Sequence, residues 1–371
     1  MKRNINPAGT HVTELEEKYV LDALRNGWYG DKKYYYCEEL QRRFAKYHGR
    51  KYALMTTNCT SALHLLLMGL DIGPGDEVIV PECTWIASAS PITYVGAKPV
   101  FCDIEKESWC ISPESILNAI TDKTRAVIVV DLFGNMPDMS RISKICSEKG
   151  ILLIEDAAEA LGSKYKNQTA GSFGVGSTFS FHNTKTMSTG EGGMLLIDDD
   201  FLYEKCVKLR DHGRGPNTKA YFNDVIGYKF MPFNMQAAMG LAQFERIEEL
   251  VAIKRHHMNF YKENLKGIKA QFNVDNNIVH NGAWITSMVI DKSYRLEKDE
   301  IIERCSEFSV PIRPFFYPLS SIPAFSQSDI YENKNTNAYD ISARGINLPG
   351  APNLSDDDLH YVCKKIKEVI K

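Results

Sequence analysis

The sequence has no apolar run approaching ~18 residues, so no segment is expected to cross a membrane as a helix. It carries little net charge: 44 basic against 47 acidic residues leave −3, with no basic footprint for nucleic acid. It also lacks a C-x-x-C pair. Its nine cysteines (37, 59, 83, 102, 110, 146, 206, 305 and 363) are odd in number and scattered. That pattern fits reduced thiols better than a disulfide framework or a zinc site, and no metal is expected. Internal repeats and low-complexity tracts are absent. The opening stretch MKRNINPAGTHVTELEEKYV becomes a charged helical pattern at once, without the apolar core of a secretory signal, so a cytoplasmic location is expected.

What is present is a long alternation. The stretches at 77–82, 98–104, 125–134, 151–157, 177–182 and 193–198 are short β-branched or aromatic apolar runs. Between them lie helical patterns at 60–70 and 139–150, and Ser112-Pro113 reads as the cap and first residue of another. Strands alternating with helices imply an α/β domain: a large, mostly parallel sheet with helices on both faces. Residues 234–267 read as one long helix leading into a smaller C-terminal α+β domain with strands at 283–290 and 310–317 and a closing helix at 356–371. The expected division is 10–245 and 246–371, with residues 1–9 packing near the smaller part. Polar stretches at 211–224 and 326–338 read as surface loops.

The chemistry centres on FSFHNTKTMSTGEGGMLLIDD, residues 179–199, where Lys185 lies between a strand-like run and a Gly-Glu-Gly-Gly turn. A lone lysine in a turn is ordinarily a solvated surface residue. A Schiff-base lysine for pyridoxal 5'-phosphate needs company: an acid for the pyridine nitrogen, an aromatic wall and a phosphate cradle. Asp156 ends ILLIED and suits either the acid or an N-cap. Glu159, three residues on, is placed to flank the ring. Trp85 follows a strand and suits either stacking or core packing. In TTNCTSALHLLL a helix begins at Cys59 and Thr60, whose amides suit either a phosphate or a plain capping turn. Ser180 offers a further hydroxyl. TGEGG fits neither the P-loop nor the dinucleotide fingerprint and precedes a strand, so it reads as a tight turn behind the lysine.

In this order the segments resemble the DegT/DnrJ-type sugar aminotransferases, which are fold type I enzymes dependent on pyridoxal 5'-phosphate. GWYG, TTNCTSALHL, GPGDEVIVPECTW, IEDAAEALGS, FSFHNTKTMSTGEGGM, RDHGR, GYKFMPFNMQAAMGLAQFERIEEL and RPFFYPL carry the resemblance over nearly the whole chain. It implies that Lys185 bears the cofactor and Asp156 pairs with the pyridinium while Glu159 flanks it. It also implies that Trp85 stacks and that Cys59, Thr60 and Ser180 hold the phosphate. Two departures stand out. Lys229 and Met231 occupy positions where the family writes Asn and Arg, the Asn reaching the neighbouring subunit's phosphate; Lys229 is a cationic substitute for it. Cys59 stands where the family prefers Gly.

The resemblance further implies a homodimer with shared sites, L-glutamate as amino donor and a nucleotide-sugar acceptor. TWIASASPITYVGA and RPFFYPLSSIPAF look most like enzymes acting on a 4-keto-6-deoxyhexose, the GDP-perosamine synthase type among them. A 3-keto sugar, or a dTDP- or UDP-linked one, stays open. Trp28, Tyr29, His182 and Arg313 are the substrate-contact candidates. Rival readings are a dehydratase relative with His in place of the lysine, a non-catalytic cofactor-binding protein and a nicotinamide-dependent oxidoreductase. Lys185 argues against the first, and the missing fingerprint argues against the last.

Overall fold

Strands form where the apolar runs lie. The computed structural model describes residues 5–215 and 219–371. The strands of the large sheet are β1 (Tyr52–Thr56), β2 (Glu77–Pro81), β3 (Lys98–Cys102), β4 (Thr124–Val130) and β5 (Leu152–Asp156). After the two-residue strands β6 (Lys164–Tyr165) and β7 (Gln168–Thr169) come its last two members, β8 (Gly176–Ser180) and β9 (Gly193–Ile197). Their order is β1-β9-β8-β5-β4-β2-β3, and only β9 runs against the rest.

Both faces are buried, as near-continuous apolar strands require. Along β4, Val127 and Val129 enter one core with Leu153 and Phe179, whereas Ala126, Ile128 and Val130 enter the other with Ile154 and Leu195. That split is the period-2 alternation of a pleated strand. Helices Cys59–Gly69 and Met139–Lys149 fall where the sequence places them, the second ended by Gly150 at φ +66°. Ser112 precedes Pro113 at the start of helix Pro113–Ala119, although its side chain makes no capping bond.

The C-terminal third adds β10 (Ala270–Phe272), β11 (Val279–His280), β12 (Ser287–Ile290), β13 (Arg313–Pro314) and β14 (Gly345–Asn347). An antiparallel sheet β10-β12-β14-β13 packs on helices Ile247–Asn264, Lys298–Glu307 and Asp356–Val369 around a core that also takes in Ile5. Pro7 accepts a bond from the Gly350 amide at 2.9 Å, so the described part of 1–9 does pack there. Residues 1–4 lie outside the described residues.

Three expectations need correction. The single helix over 234–267 is two, Asn234–Glu245 and Ile247–Asn264, broken at Arg246 (φ −108°, ψ 17°). The Arg246 guanidinium binds Glu16 at 2.7 Å and Glu249 at 2.8 Å, pinning a one-residue kink that amphipathic spacing does not mark. The stretch 326–338 is not a plain loop: it holds helix Ser328–Tyr331 and the start of Thr336–Arg344. Asn335 there donates to buried Glu82 at 2.6 Å, so its polarity serves an internal bond. The strands expected at 283–290 and 310–317 shrink to β12 and β13, because Ala283 turns through φ +56° and Pro314 has no amide to donate. Within 211–224, residues 216–218 lie outside the described residues.

Candidate active site

The sheet delivers its polar residues at strand ends, where open α/β sheets bind ligands. After β1, Asn58 caps helix Cys59–Gly69 by accepting from the Ser61 amide at 2.8 Å. The Cys59 and Thr60 amides have no acceptor among the described residues, so two donors at the positive end of a helix face the cavity. Cys59 is an ordinary helical residue without a positive φ, so its side chain costs no backbone strain. Behind this cradle lies the Gly-rich turn. A Cβ on Gly193 would stand 2.4–2.5 Å from the Asn58 and Cys59 backbone, which explains the glycine. Gly193→Ala should therefore displace the cradle and weaken phosphate-dependent cofactor binding about tenfold, given ~1–3 kcal/mol for overpacking. Equilibrium dialysis reads this directly, and unchanged affinity would refute the close-approach argument.

Asp156 ends β5 and is 5% exposed. Its carboxylate accepts from the Ser88 hydroxyl at 2.8 Å and the Ala158 amide at 3.1 Å, with the Cys59 thiol at 3.9 Å. Burial pushes this carboxyl above its usual range, while the Ser88 and Ala158 donors pull it back. Three residues on, Glu159 holds the Lys185 ammonium at 3.1 Å and the Phe133 amide at 3.0 Å. Burial raises Glu159 too, and the Lys185 charge opposes that rise. Lys185 lies in the turn between β8 and β9, its Nζ 3.6 Å from the centroid of the Trp284 ring, a cation–π contact. Trp284 is fixed by donating to the Thr184 carbonyl at 2.7 Å.

These groups line one cavity of about 460 Å³. It gathers Cys59, Thr60, Trp85, Asp156, Glu159, Ser180, His182, Lys185 and Arg313, nine of the residues singled out in the sequence. Trp85 is 58% exposed, which rules out core packing and leaves its ring free beside Phe316. Ser180 Oγ accepts from the His182 amide at 3.3 Å and keeps its own proton to donate. His182 bonds Thr184 and approaches Glu191 at 3.7 Å.

The structure does not bring Trp28, Tyr29 or Lys229 into this cavity. Trp28 and Tyr29 lie on a separate exposed surface, where Trp28 touches Phe233. Lys229 pairs with Asp211 at 2.6 Å. Sequence reasoning missed Ser88, Trp284 and Phe316. Ser88 meets Asp156 from across β4, and Trp284 arrives from the C-terminal third. Neither carries a local signal.

Behind the site lies a buried acid pair. The Asp131 carboxyl oxygens receive no donor from protein N–H groups among the described residues, and the neighbouring Glu155 carboxyl is the group that faces them. Glu155 accepts from the Gly171 amide at 2.7 Å and the Phe173 amide at 2.9 Å. Burial, then repulsion from Glu155, lifts Asp131 well above its usual range, and burial lifts Glu155 to about 7. Both folded-state values stand above the unfolded ones, so the pair's contribution to stability is present at low pH and lost as pH rises toward and past 7. Asp131→Asn should thus melt like wild type at pH 5 and roughly 2–4 °C higher at pH 8.5. A melting-temperature difference that does not grow with pH would contradict the raised titration of this pair.

The donor set fits pyridoxal 5'-phosphate: two free amides and a hydroxyl for phosphate, a buried carboxylate, an open indole and an amine around one cavity. Comparison with known proteins agrees. Residues 10–367 match the DegT/DnrJ/EryC1/StrS aminotransferase family. GDP-perosamine synthase of Escherichia coli O157:H7 is 38% identical over 96% of each chain. GDP-perosamine synthase of Vibrio cholerae is 36% identical over 95% of each. The PLP-form structure of Spr1654 from Streptococcus pneumoniae aligns with a TM-score of 0.92 over 99% of each chain, at 28% identity.

Proposed function

The chain belongs to the DegT/DnrJ/EryC1/StrS aminotransferase family and is a pyridoxal 5'-phosphate-dependent sugar aminotransferase; on that premise we propose that it moves an amino group from L-glutamate to the C4 keto group of a GDP-linked 4-keto-6-deoxyhexose. The full-length likeness to GDP-perosamine synthases is the observation that carries the choice of sugar. The product would serve surface polysaccharide such as O-antigen, made in the cytoplasm. Among the described residues no helix is long and apolar enough to cross a membrane.

When bound, the cofactor supplies an electron sink for the pair left at the donor's Cα. Under this reading the protein supplies the rest. Lys185 holds the cofactor, and its amine then carries the proton from the donor's Cα as general base and acid. Asp156, oriented by Ser88, keeps a proton on the pyridine nitrogen. Glu159 holds the lysine amine, Trp85 covers one ring face, and Cys59, Thr60 and Ser180 grip the phosphate. His182, at the cavity wall, is a candidate contact for the sugar. The reading assigns cofactor binding to 10–245 and the smaller domain to 246–371.

A homodimer completes the proposal. Trp28 (47% exposed) and Phe233 (43%) touch each other on the surface, and Tyr29, Phe222 and Ile226 are exposed nearby in the chain, apolar side chains that a partner subunit would cover. Under the same proposal Lys229, which pairs with Asp211, is the residue that would reach a neighbour's phosphate. Light scattering should give the dimer mass. Activity is tested by supplying purified protein and L-glutamate with a panel of keto sugars. Selective turnover of the GDP-linked 4-keto sugar supports the proposal, and turnover of only 3-keto, dTDP- or UDP-linked members would overturn it.

A further inference from the structure

The geometry points to Arg313 as the residue that receives a carboxylate of the amino donor, an inference that rests on the aminotransferase reading above. Arg313 sits on β13, half-buried, where the cavity holding Lys185 meets an apolar groove of about 470 Å³ walled by Ile86, Phe315, Tyr317 and Leu319. Among the described residues its guanidinium has no hydrogen-bond or ion-pair partner, and burial disfavours its charge. Behind it, on helix Ile247–Asn264, stands a second basic group. Lys254 is 3% exposed and donates to the Gly350 carbonyl at 2.6 Å, with no carboxylate beside it. Burial and the Arg313 charge push Lys254 down to about 7.

Two basic groups thus share a part-buried corner without an acid. The acids of the cavity are engaged elsewhere: Asp156 by Ser88 and Ala158, Glu159 by Lys185 and Phe133, and Glu191 beside His182. Desolvating a cation without a counter-charge is unfavourable, so an anion arriving with the substrate gains what the protein leaves unmet. A guanidinium matches a planar two-oxygen anion through paired N–H bonds, which is the shape of a carboxylate. A diphosphate is the other anion that could reach this corner. It spreads its charge over more oxygens than one guanidinium covers, and Lys254 is too buried to help.

The test uses the cofactor-loaded protein with Arg313→Gln and Arg313→Lys. Calorimetry measures binding of glutarate, a dicarboxylate without an amino group, and separately of GDP. The Gln variant should bind glutarate about tenfold or more weakly, the loss expected for a charge-assisted pair, and the Lys variant should recover part of it. GDP affinity should stay within about twofold, and both variants should melt as wild type because the Arg313 side chain makes no bond among the described residues. Unchanged glutarate affinity in the Gln variant overturns the assignment. So does weakened GDP binding with glutarate unaffected, which gives the guanidinium to the diphosphate. Cofactor uptake is read separately by absorbance: wild-type protein that takes up no pyridoxal phosphate overturns the aminotransferase reading itself, whereas normal uptake with unchanged glutarate binding overturns Arg313 alone.

Discussion

Lys185→Ala will reduce amino transfer by at least about 10³-fold, within the range expected for removing a positioned acid–base group. Lys185 is the only lysine that lines the cavity among the described residues, so no neighbouring amine can take its place. The fold should survive the change. Glu159 loses its ion-pair partner, but burial already raises that carboxyl and Lys185 is what opposes the rise. Without the lysine, Glu159 can take up a proton and escape the penalty of a lone buried charge. Circular dichroism and melting should therefore resemble wild type while turnover disappears. Retained turnover would show that the amine at 185 is not the proton carrier.

Asp156→Ala should weaken cofactor retention and slow proton abstraction by about 10²–10⁴-fold. The carboxyl group is 5% exposed; burial pushes it above its usual range, and its two closest donors, Ser88 and Ala158, oppose that rise by favouring the anion. An anion so placed can keep a proton on the pyridine nitrogen, and alanine cannot. Asp156→Asn separates the roles, because it preserves the shape beside Ser88 without the charge. It should retain more cofactor than the alanine variant yet react as slowly. Dialysis against buffer gives retention, and the rate of the glutamate half-reaction gives proton transfer. Wild-type rates in both variants would remove Asp156 from the chemistry.

Much of this site could be read from the sequence because the fold type puts polar residues directly after apolar strands. Asp156 at the end of β5, Ser180 at the end of β8, Trp85 after β2 and Cys59-Thr60 after β1 each announce themselves by that position. Lys185 gained meaning only in their company. Residues acting across the fold were silent. Ser88 reaches Asp156 because β2 and β5 flank β4, a fact of strand order that no spacing encodes. Trp284 lies over Lys185 because the chain turns at Ala283, inside what reads as a continuous strand. The break at Arg246 was hidden for a similar reason: its cause is an ion pair with Glu16, 230 residues away. Asn335 shows the reverse error, where polarity read as solvent exposure proves to be a bond to buried Glu82.

Amino transfer by this chain requires a covalent attachment of the cofactor at one amine, and borohydride reduction of the cofactor-saturated protein followed by peptide mapping tests that attachment most directly. The result expected is a single pyridoxyl tag on the peptide that carries Lys185, lost in Lys185→Ala. A tag on another lysine, or none on saturated protein, would contradict it.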